Sequence, residues 1–342
     1  MKTWSFAVVG CGTVADFHIQ AIRELEHARL VMVAGRTEER VRKIGIRENC
    51  AWTTDLTEVL NHQGIDIVCL TTPSGTHAFM GVEVLSSGKH LLVEKPLAMT
   101  AAEAQQLIRT AEEFRVTLSV VSQRRFEAQH REAKRVLEEG GLGKLLLIEA
   151  TCPFYRTQEY YDSSSWRGTI EQDGGALMNQ GIHSIDLMLW LGGPVRSVFG
   201  KTATATHRIE AEDLGLAMVQ FESGAYGTIT ASTSIQPGFQ PTLNLYGEKG
   251  TIKVQGTSVV HWSAEGYPLP REEEGSTGGG VSDPMSISAL YHRLQIADLL
   301  EALNTGRKPQ VTGEDGWLAV RLVERIYQSS AEGKEITLSD WR

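Results

Sequence analysis

The stretch FAVVGCGTVADF, Phe6 to Phe17, decides the fold. FAVVG (6–10) is rich in strand formers, and TVADFHIQAIREL (13–25) carries apolar residues near helical spacing. Between them Gly10-Cys11-Gly12-Thr13-Val14-Ala15 forms a G-x-G-x-x-A pattern. Each small residue has a physical task. Gly10 allows the tight turn and Gly12 lets backbone approach a pyrophosphate. Ala15 allows close helix–strand packing, and the helix opened by Thr13 and Val14 offers its N-terminus to an anion. The pattern alone is common. Its place after a strand and before a helix, inside a β-α-β unit, is what points to a dinucleotide site.

Working outward, the same alternation continues to about residue 122. RLVMVAG (29–35), IDIVCLTT (65–72), HLLVEK (90–95) and VTLSVV (116–121) read as strands, separated by helical stretches. β-α alternation implies parallel strands with crossover helices, and strands apolar throughout fit a sheet covered on both faces. After residue 122 the texture changes. One helix (127–139) is followed by longer alternating runs separated by turn signals such as Ser223-Gly224 and Gln255-Gly256, the mark of an antiparallel sheet. Helices are expected near 176–191, 289–305 and 313–332, and a polar, glycine-rich surface loop over 270–284. The expected domains are 1–122 and 123–342.

Composition excludes several classes. The chain of 342 residues is 41% hydrophobic and 22% charged, the profile of a soluble globular protein. A net charge of -9 argues against nucleic acid or anionic membrane as partner. No apolar run approaches the roughly 20 residues needed to span a bilayer. The N-terminal apolar run stops at glycine and reads as a strand rather than a secretion signal. Cys11, Cys50, Cys69 and Cys152 lie far apart, with no spacing that suits zinc, so a reduced cytoplasmic protein with no metal is expected.

The second strand should carry a cofactor-specificity residue about 20 positions after the glycines. It ends in Gly35-Arg36-Thr37. An acid there would accept from a ribose 2′-hydroxyl and repel a 2′-phosphate. Gly35 does neither, and Arg36 can pair with a 2′-phosphate. The expectation is NADP preferred, NAD possible. The alternative is that Arg36 stacks on adenine or faces solvent.

Three features together resemble the glucose–fructose oxidoreductase / inositol dehydrogenase / MocA family: the glycine pattern, Glu94-Lys95-Pro96, and the G-G-x-L-x-N-x-G-x-H-x-x-D run from Gly174 to Asp186. The resemblance covers nearly the whole chain. It implies α/β plus α+β architecture: an N-terminal Rossmann domain with a parallel sheet, then an open-faced, mostly antiparallel sheet with helices. It also implies a homodimer or homotetramer formed through that second sheet. The activity implied is hydride transfer between a nicotinamide cofactor and a secondary alcohol or ketone of a sugar, sugar acid or cyclitol. The family also includes glycosidases that oxidise a sugar transiently with tightly held NAD, and non-catalytic sensors.

The resemblance also assigns residues. The Lys95-Pro96 bond is expected to be cis, with Lys95 polarising the reacting oxygen. His183 matches the catalytic histidine, with a pKa range suited to proton exchange. On a regular helix Asn179, His183 and Asp186 share one face. Asn179 stands where many members carry aspartate. An amide cannot act as a base, so Asn179 is expected to orient a substrate hydroxyl, and Asp186 to orient a neighbour or cap structure rather than react. Thr72, Pro73, Ser74 and His77 are expected beside the nicotinamide ribose, with Glu94, Trp166 and Arg167 as further cofactor contacts. Arg125 and Tyr155 are expected at the substrate, with Tyr160 and Tyr161 as weaker candidates. His292 is balanced between structure and function.

Overall fold

The computed structural model describes residues 2–271 and 289–338. Nearly all of the 270–284 loop expected from the sequence lies outside the described residues. The chain folds into two compact units, Met1–Gln123 with Ala289–Trp317, and Arg124–Ser288 with Leu318–Arg342.

The first unit alternates as the sequence dictates. In order it contains β1 (Trp4–Val9), α1 (Thr13–Arg23), β2 (Ala28–Ala34), α2 (Glu38–Glu48), β3 (Ala51–Thr53), α3 (Leu56–Asn61), β4 (Ile67–Leu70), α4 (His77–Ser86), β5 (His90–Val93), α5 (Ala101–Glu113) and β6 (Leu118–Val120). The short β3 was not legible in the sequence because only Thr53 of its three residues is buried. The six strands run in the order β3-β2-β1-β4-β5-β6, and every pairing is parallel. The order reverses between β1 and β4. Doubly wound sheets bind ligands outside the carboxyl ends of their strands at such a point. β1 and β4 are buried along their whole length, as a sheet covered on both faces requires.

The second unit opens with α6 (Ala128–Glu138), then β7 (Leu145–Pro153), α7 (Gln158–Asp162), a π-helical stretch at Ala176–Gly181, and α8 (Ile182–Gly192). Strands β8 (Val195–Ala203), β9 (Leu214–Phe221), β10 (Tyr226–Ser232), β11 (Thr242–Gly247), β12 (Thr251–Gln255) and β13 (Ser258–Trp262) follow. The chain continues with α9 (Leu290–Thr305), α10 (Gly313–Glu332) and β14 (Ile336–Thr337). The sheet order is β13-β12-β11-β7-β10-β9-β8-β14. It is antiparallel except where β7 and β10 run parallel. No helix among the described residues is long and apolar enough to cross a membrane.

One correction concerns the domain division. The chain divides after Gln123, and the second unit is not continuous, because 289–317 belongs to the first unit. Side chains explain this. Ile296, Leu299 and Leu300 of α9 are buried in one core with Phe6, Ile19 and Ile22. Gln295 adds two hydrogen bonds, accepting from Ser122 N–H at 3.1 Å and donating to the Val120 carbonyl at 2.7 Å.

The π-helical stretch has its own anchor. Glu212 accepts from the Leu177 N–H at 2.8 Å and from the Tyr327 hydroxyl at 3.1 Å. Gly175 is obligatory beside it, since a Cβ there would lie 1.9 Å from a Glu212 oxygen. Burial disfavours the charged carboxylate and pushes Glu212 up to about 7. A carboxyl raised in the folded state adds stability below its unfolded value near 4.5, lost as pH rises towards 7. Urea unfolding at pH 5 and pH 8 should therefore show a weaker protein at pH 8. Glu212→Gln should flatten that difference, which is on the order of 3 kcal/mol at most. An unchanged pH dependence in the variant would refute the assignment.

Candidate functional site

The carboxyl edge of the parallel sheet is built from three turns. After β1, Gly10 takes φ +101°, and an added Cβ would meet Thr71 backbone at 2.6 Å, so only glycine fits. The Thr71 hydroxyl donates to the Gly10 carbonyl at 2.6 Å, docking this turn on the end of β4. A Cβ at Gly12 would meet nothing within 4 Å. Gly12 is also the N-cap of α1 and supplies no side chain, so the N–H groups of Thr13 and Val14 keep their donor capacity for an outside anion, while the Ala15 N–H donates to the Gly12 carbonyl at 3.3 Å. The residues thus fit a dinucleotide pyrophosphate.

Beside this turn is a cavity of about 490 Å³ lined by Cys11, Gly12, Thr13, Thr37, Arg40 and Ile44 among others. Arg36, the expected 2′-phosphate partner, is exposed and makes no ion pair among the described residues. Arg47, which also lines the cavity, is engaged by Asp16 and Glu48, each at 2.6 Å.

After β4, Thr72, Pro73 and Ser74 enter a short 3-10 turn, Ser74–Thr76, and all three are half-buried. His77 differs from expectation. It is 1% exposed, with Nδ1 2.7 Å from the Pro96 carbonyl and Nε2 3.0 Å from the Thr72 carbonyl. It braces two loops of the site and presents no ring nitrogen to a cofactor.

After β5 come Glu94 and Lys95, and the Lys95-Pro96 bond is cis as the resemblance implied. Lys95 is half-buried. Glu94 also departs from its expected role as a direct cofactor contact, because its oxygens are already engaged. Oε1 lies 2.9 Å from His18 Nε2 and 3.6 Å from His292 Nε2, while Oε2 accepts the Lys95 N–H at 3.3 Å. Burial pushes Glu94 up, but hydrogen bonds from the two imidazoles outweigh it and hold the carboxyl well below its ordinary range. Burial lowers His18, so it sits neutral with Nε2–H donating.

The three donor atoms lie within 4.8 Å of one another, a set that could in principle hold a metal. The Nδ1 atoms of His18 and His292 have no hydrogen-bond partner, whereas metal-bound imidazoles almost always donate from the second nitrogen. The trio is a polar cluster in which His18 hydrogen-bonds Glu94 and His292 lies 3.6 Å from the same oxygen. His292 is thereby functional support for the Glu94-Lys95 turn, which no local sequence signal revealed, since 198 residues separate it from Glu94.

In the second unit the expected single helix over 176–191 is two kinds of helix. Asn179 lies in the π-helical stretch and His183 in α8. Asn179 and His183 are both half-buried, but Asp186 is 4% exposed and turned into the core. There it grips Arg125 at 2.6 and 2.9 Å. Arg125 is equally buried and stacks near Trp190, which makes it a support for α8 rather than an open substrate contact. A buried carboxylate needs such a bidentate partner.

Asn179 has polar neighbours of its own. Its Nδ2 donates to Asp173 Oδ1, and its Oδ1 accepts from Gln180 Nε2 at 3.1 Å. Arg167 stacks on Tyr160 at 4.1 Å and on Trp166 at 4.8 Å from the ring centroids. Arg156 lies 5.5 Å from the same Tyr160 ring and donates to Gln180. Tyr155 bridges to Ser234 at the sheet end, while Tyr161 is buried with its hydroxyl against Thr233. Asp173 and Arg156 were missed in the sequence. The only trace of Asp173 was its place directly before Gly174-Gly175.

Comparison with known proteins identifies the family. Residues 4–122 match the model described as "Oxidoreductase family, NAD-binding Rossmann fold", and residues 130–253 match the GFO/IDH/MocA C-terminal domain. The solved WlbA dehydrogenase from Bordetella pertussis, in complex with NADH and UDP-GlcNAcA, is 32% identical with a TM-score of 0.87, over 99% of both chains. Its counterpart from Chromobacterium violaceum, with the same two ligands, is 31% identical with a TM-score of 0.88, over 99% of this chain and 97% of that one. The scyllo-inositol 2-dehydrogenase (NAD(+)) of Bacillus subtilis is 26% identical over 97% of this chain and 95% of its own length. This chain belongs to the GFO/IDH/MocA family of oxidoreductases with an NAD-binding Rossmann domain.

Proposed function

We propose that this oxidoreductase acts on a secondary alcohol, or its ketone, in a sugar acid carried on a nucleotide, the class to which UDP-GlcNAcA belongs. The observation that carries the dehydrogenase chemistry is Lys95. It leaves β5 at the same carboxyl edge where Gly10 and Gly12 form the pyrophosphate cradle. The substrate class rests on the two WlbA relatives, both complexes with UDP-GlcNAcA. A bound nicotinamide supplies the hydride acceptor or donor.

The chain's own residues do the rest. The Lys95 ammonium donates to the reacting oxygen and stabilises charge as it develops there. His183 takes the hydroxyl proton during oxidation and returns it in the reverse direction. Asn179 offers its carbonyl oxygen to a neighbouring hydroxyl. Asp186 and Arg125 keep α8 in place, and Glu94 with His18, His292 and His77 keeps the Lys95-Pro96 turn in place.

For the cofactor we propose NADP over NAD. Gly35 brings no carboxylate to repel a 2′-phosphate, and Arg36 is exposed beside it. The WlbA complexes contain NADH, so discrimination is a property of this chain's own β2 end. We also propose that the outer face of the second sheet pairs with another copy. Phe199, Leu216, Met218 and Tyr226 stand exposed on β8, β9 and β10, and Phe199 is directly opposite Met218. An apolar cluster of this kind marks an interaction surface.

Three measurements test these readings. In titrations followed by reduced-nicotinamide fluorescence, NADPH should bind more tightly than NADH, and Arg36→Ala should abolish the difference. Equal or tighter NADH binding in the parent overturns the NADP preference. With UDP-GlcNAcA, Lys95→Ala and His183→Ala should each lower kcat/KM by roughly 10²–10⁴-fold. Sugar release without net cofactor turnover would instead make the protein a glycosidase. Light scattering should give a dimer or tetramer, which Met218→Glu should dissociate; a parent monomer at micromolar concentration removes the sheet-pairing proposal.

A further inference from the structure

Arg167 is half-buried, and its guanidinium faces no acid. Among the described residues it makes no hydrogen bond and no ion pair, and its Nε is buried without a partner. Other arginines of the second unit are paired: Arg124 with Glu127, and Arg135 with Glu132 and Glu139. Rings hold Arg167 instead. Its guanidinium carbon lies 4.1 Å from the Tyr160 ring centroid and 4.8 Å from that of Trp166. Such contacts use the faces of the planar group. Its N–H donors lie in the plane and stay available to an acceptor. A buried donor with nothing to bond costs free energy, so its natural complement is an oxyanion brought from outside.

The position of this cation says which oxyanion. Gly168, the next residue, donates its N–H to Asp173 Oδ2 at 2.8 Å, and Asp173 Oδ1 accepts from Asn179 Nδ2. Arg156, 5.5 Å from the same Tyr160 ring, donates to Gln180 Oε1 at 3.3 Å. Arg167 and its aromatic support are thus tied to the stretch that carries Asn179 and leads into α8 and His183, all within the second unit. We propose that Arg167 anchors the carboxylate of the substrate's sugar acid in a bidentate pair. This rests on the sugar-acid reading above. It moves Arg167 from the cofactor contact that the family resemblance implied to a substrate contact. The rings orient the guanidinium before the substrate arrives, so little side-chain freedom is lost on binding.

The test compares two ligands that differ at one group. UDP-GlcNAcA carries the carboxylate, and UDP-GlcNAc carries an uncharged hydroxymethyl in its place. In titrations of the cofactor-bound protein the parent should bind the acid roughly 10–100-fold more tightly, the scale of one charged bidentate pair. Arg167→Gln keeps the stem and a planar head for the rings but loses the charge, and should bind both ligands alike. Arg167→Lys keeps the charge without the fork and should retain only part of the preference. A preference undiminished in Arg167→Gln overturns the anchor. So does an equal loss of affinity for both ligands, which would place the diphosphate on Arg167. Weaker NADH binding with the preference kept also overturns it, as the result for a cofactor contact. If Arg167→Gln does not fold, a full preference in Arg167→Lys overturns the bidentate anchor.

A second probe separates the anchor from the nucleotide part of the substrate reading. D-glucuronate, compared with D-glucose at matched ionic strength, should raise the Tm of the parent but not of Arg167→Gln. If the parent takes neither UDP sugar while this shift appears and depends on Arg167, the nucleotide-sugar reading fails and the anchor stands. No glucuronate shift together with no preference between the two UDP sugars overturns the anchor.

Discussion

A buried carboxylate is the constraint on which the first unit depends. Glu94 is 8% exposed, and an isolated charge at that depth would cost several kcal/mol. Two imidazoles and one backbone N–H meet that cost. Their origins are what matter. His18 comes from α1, the helix that begins at the glycine turn, and His292 comes from α9, near the other end of the sequence. One anion thus ties the dinucleotide-binding helix, the end of β5 and a distant helix to the turn that presents Lys95. His77 adds a second tie from below, between the Thr72 and Pro96 carbonyls. The backbone that presents Lys95 is thus held from several sides.

The second unit follows the same principle with different partners. Its α8 is apolar over most positions, and its polar residues divide by depth. Asp186 is inside and meets Arg125 in a bidentate pair, which is the geometry that makes a buried charge tolerable. Asn179 and His183 are nearer the surface. The π-helical turn before α8 is fixed by Glu212, a carboxyl that burial pushes up to about 7. Each unit therefore spends buried carboxyl groups on placing side chains that are themselves only half-buried.

Much of this was legible in the residues. The glycine turn was readable because its demands are local: Gly10 needs a positive φ, and Gly12 must leave open space. The order of strands and helices was readable because each period is local too. Lys95, His183 and Asn179 were picked out by short motifs. The support was not readable. His292 and Glu94 carry no shared pattern, and nothing near Arg125 announces Asp186, 61 positions away. His77 and Glu94 were expected at the cofactor because they lie beside motif residues. Yet each has its polar atoms turned inward, and adjacency in sequence does not specify which way a side chain faces.

The sequence by itself therefore determined the classes of element and the dinucleotide cradle, and it singled out Lys95, His183 and Asn179 as candidates. These follow from backbone preference and from short-range spacing. Only the tertiary structure decided that 289–317 joins the first unit, that the helix before His183 widens into a π turn, and which polar residues serve as struts. The physical reason is that buried charge must be balanced by whatever donor the fold brings near. That donor is selected by three-dimensional proximity, which no local pattern of residues records.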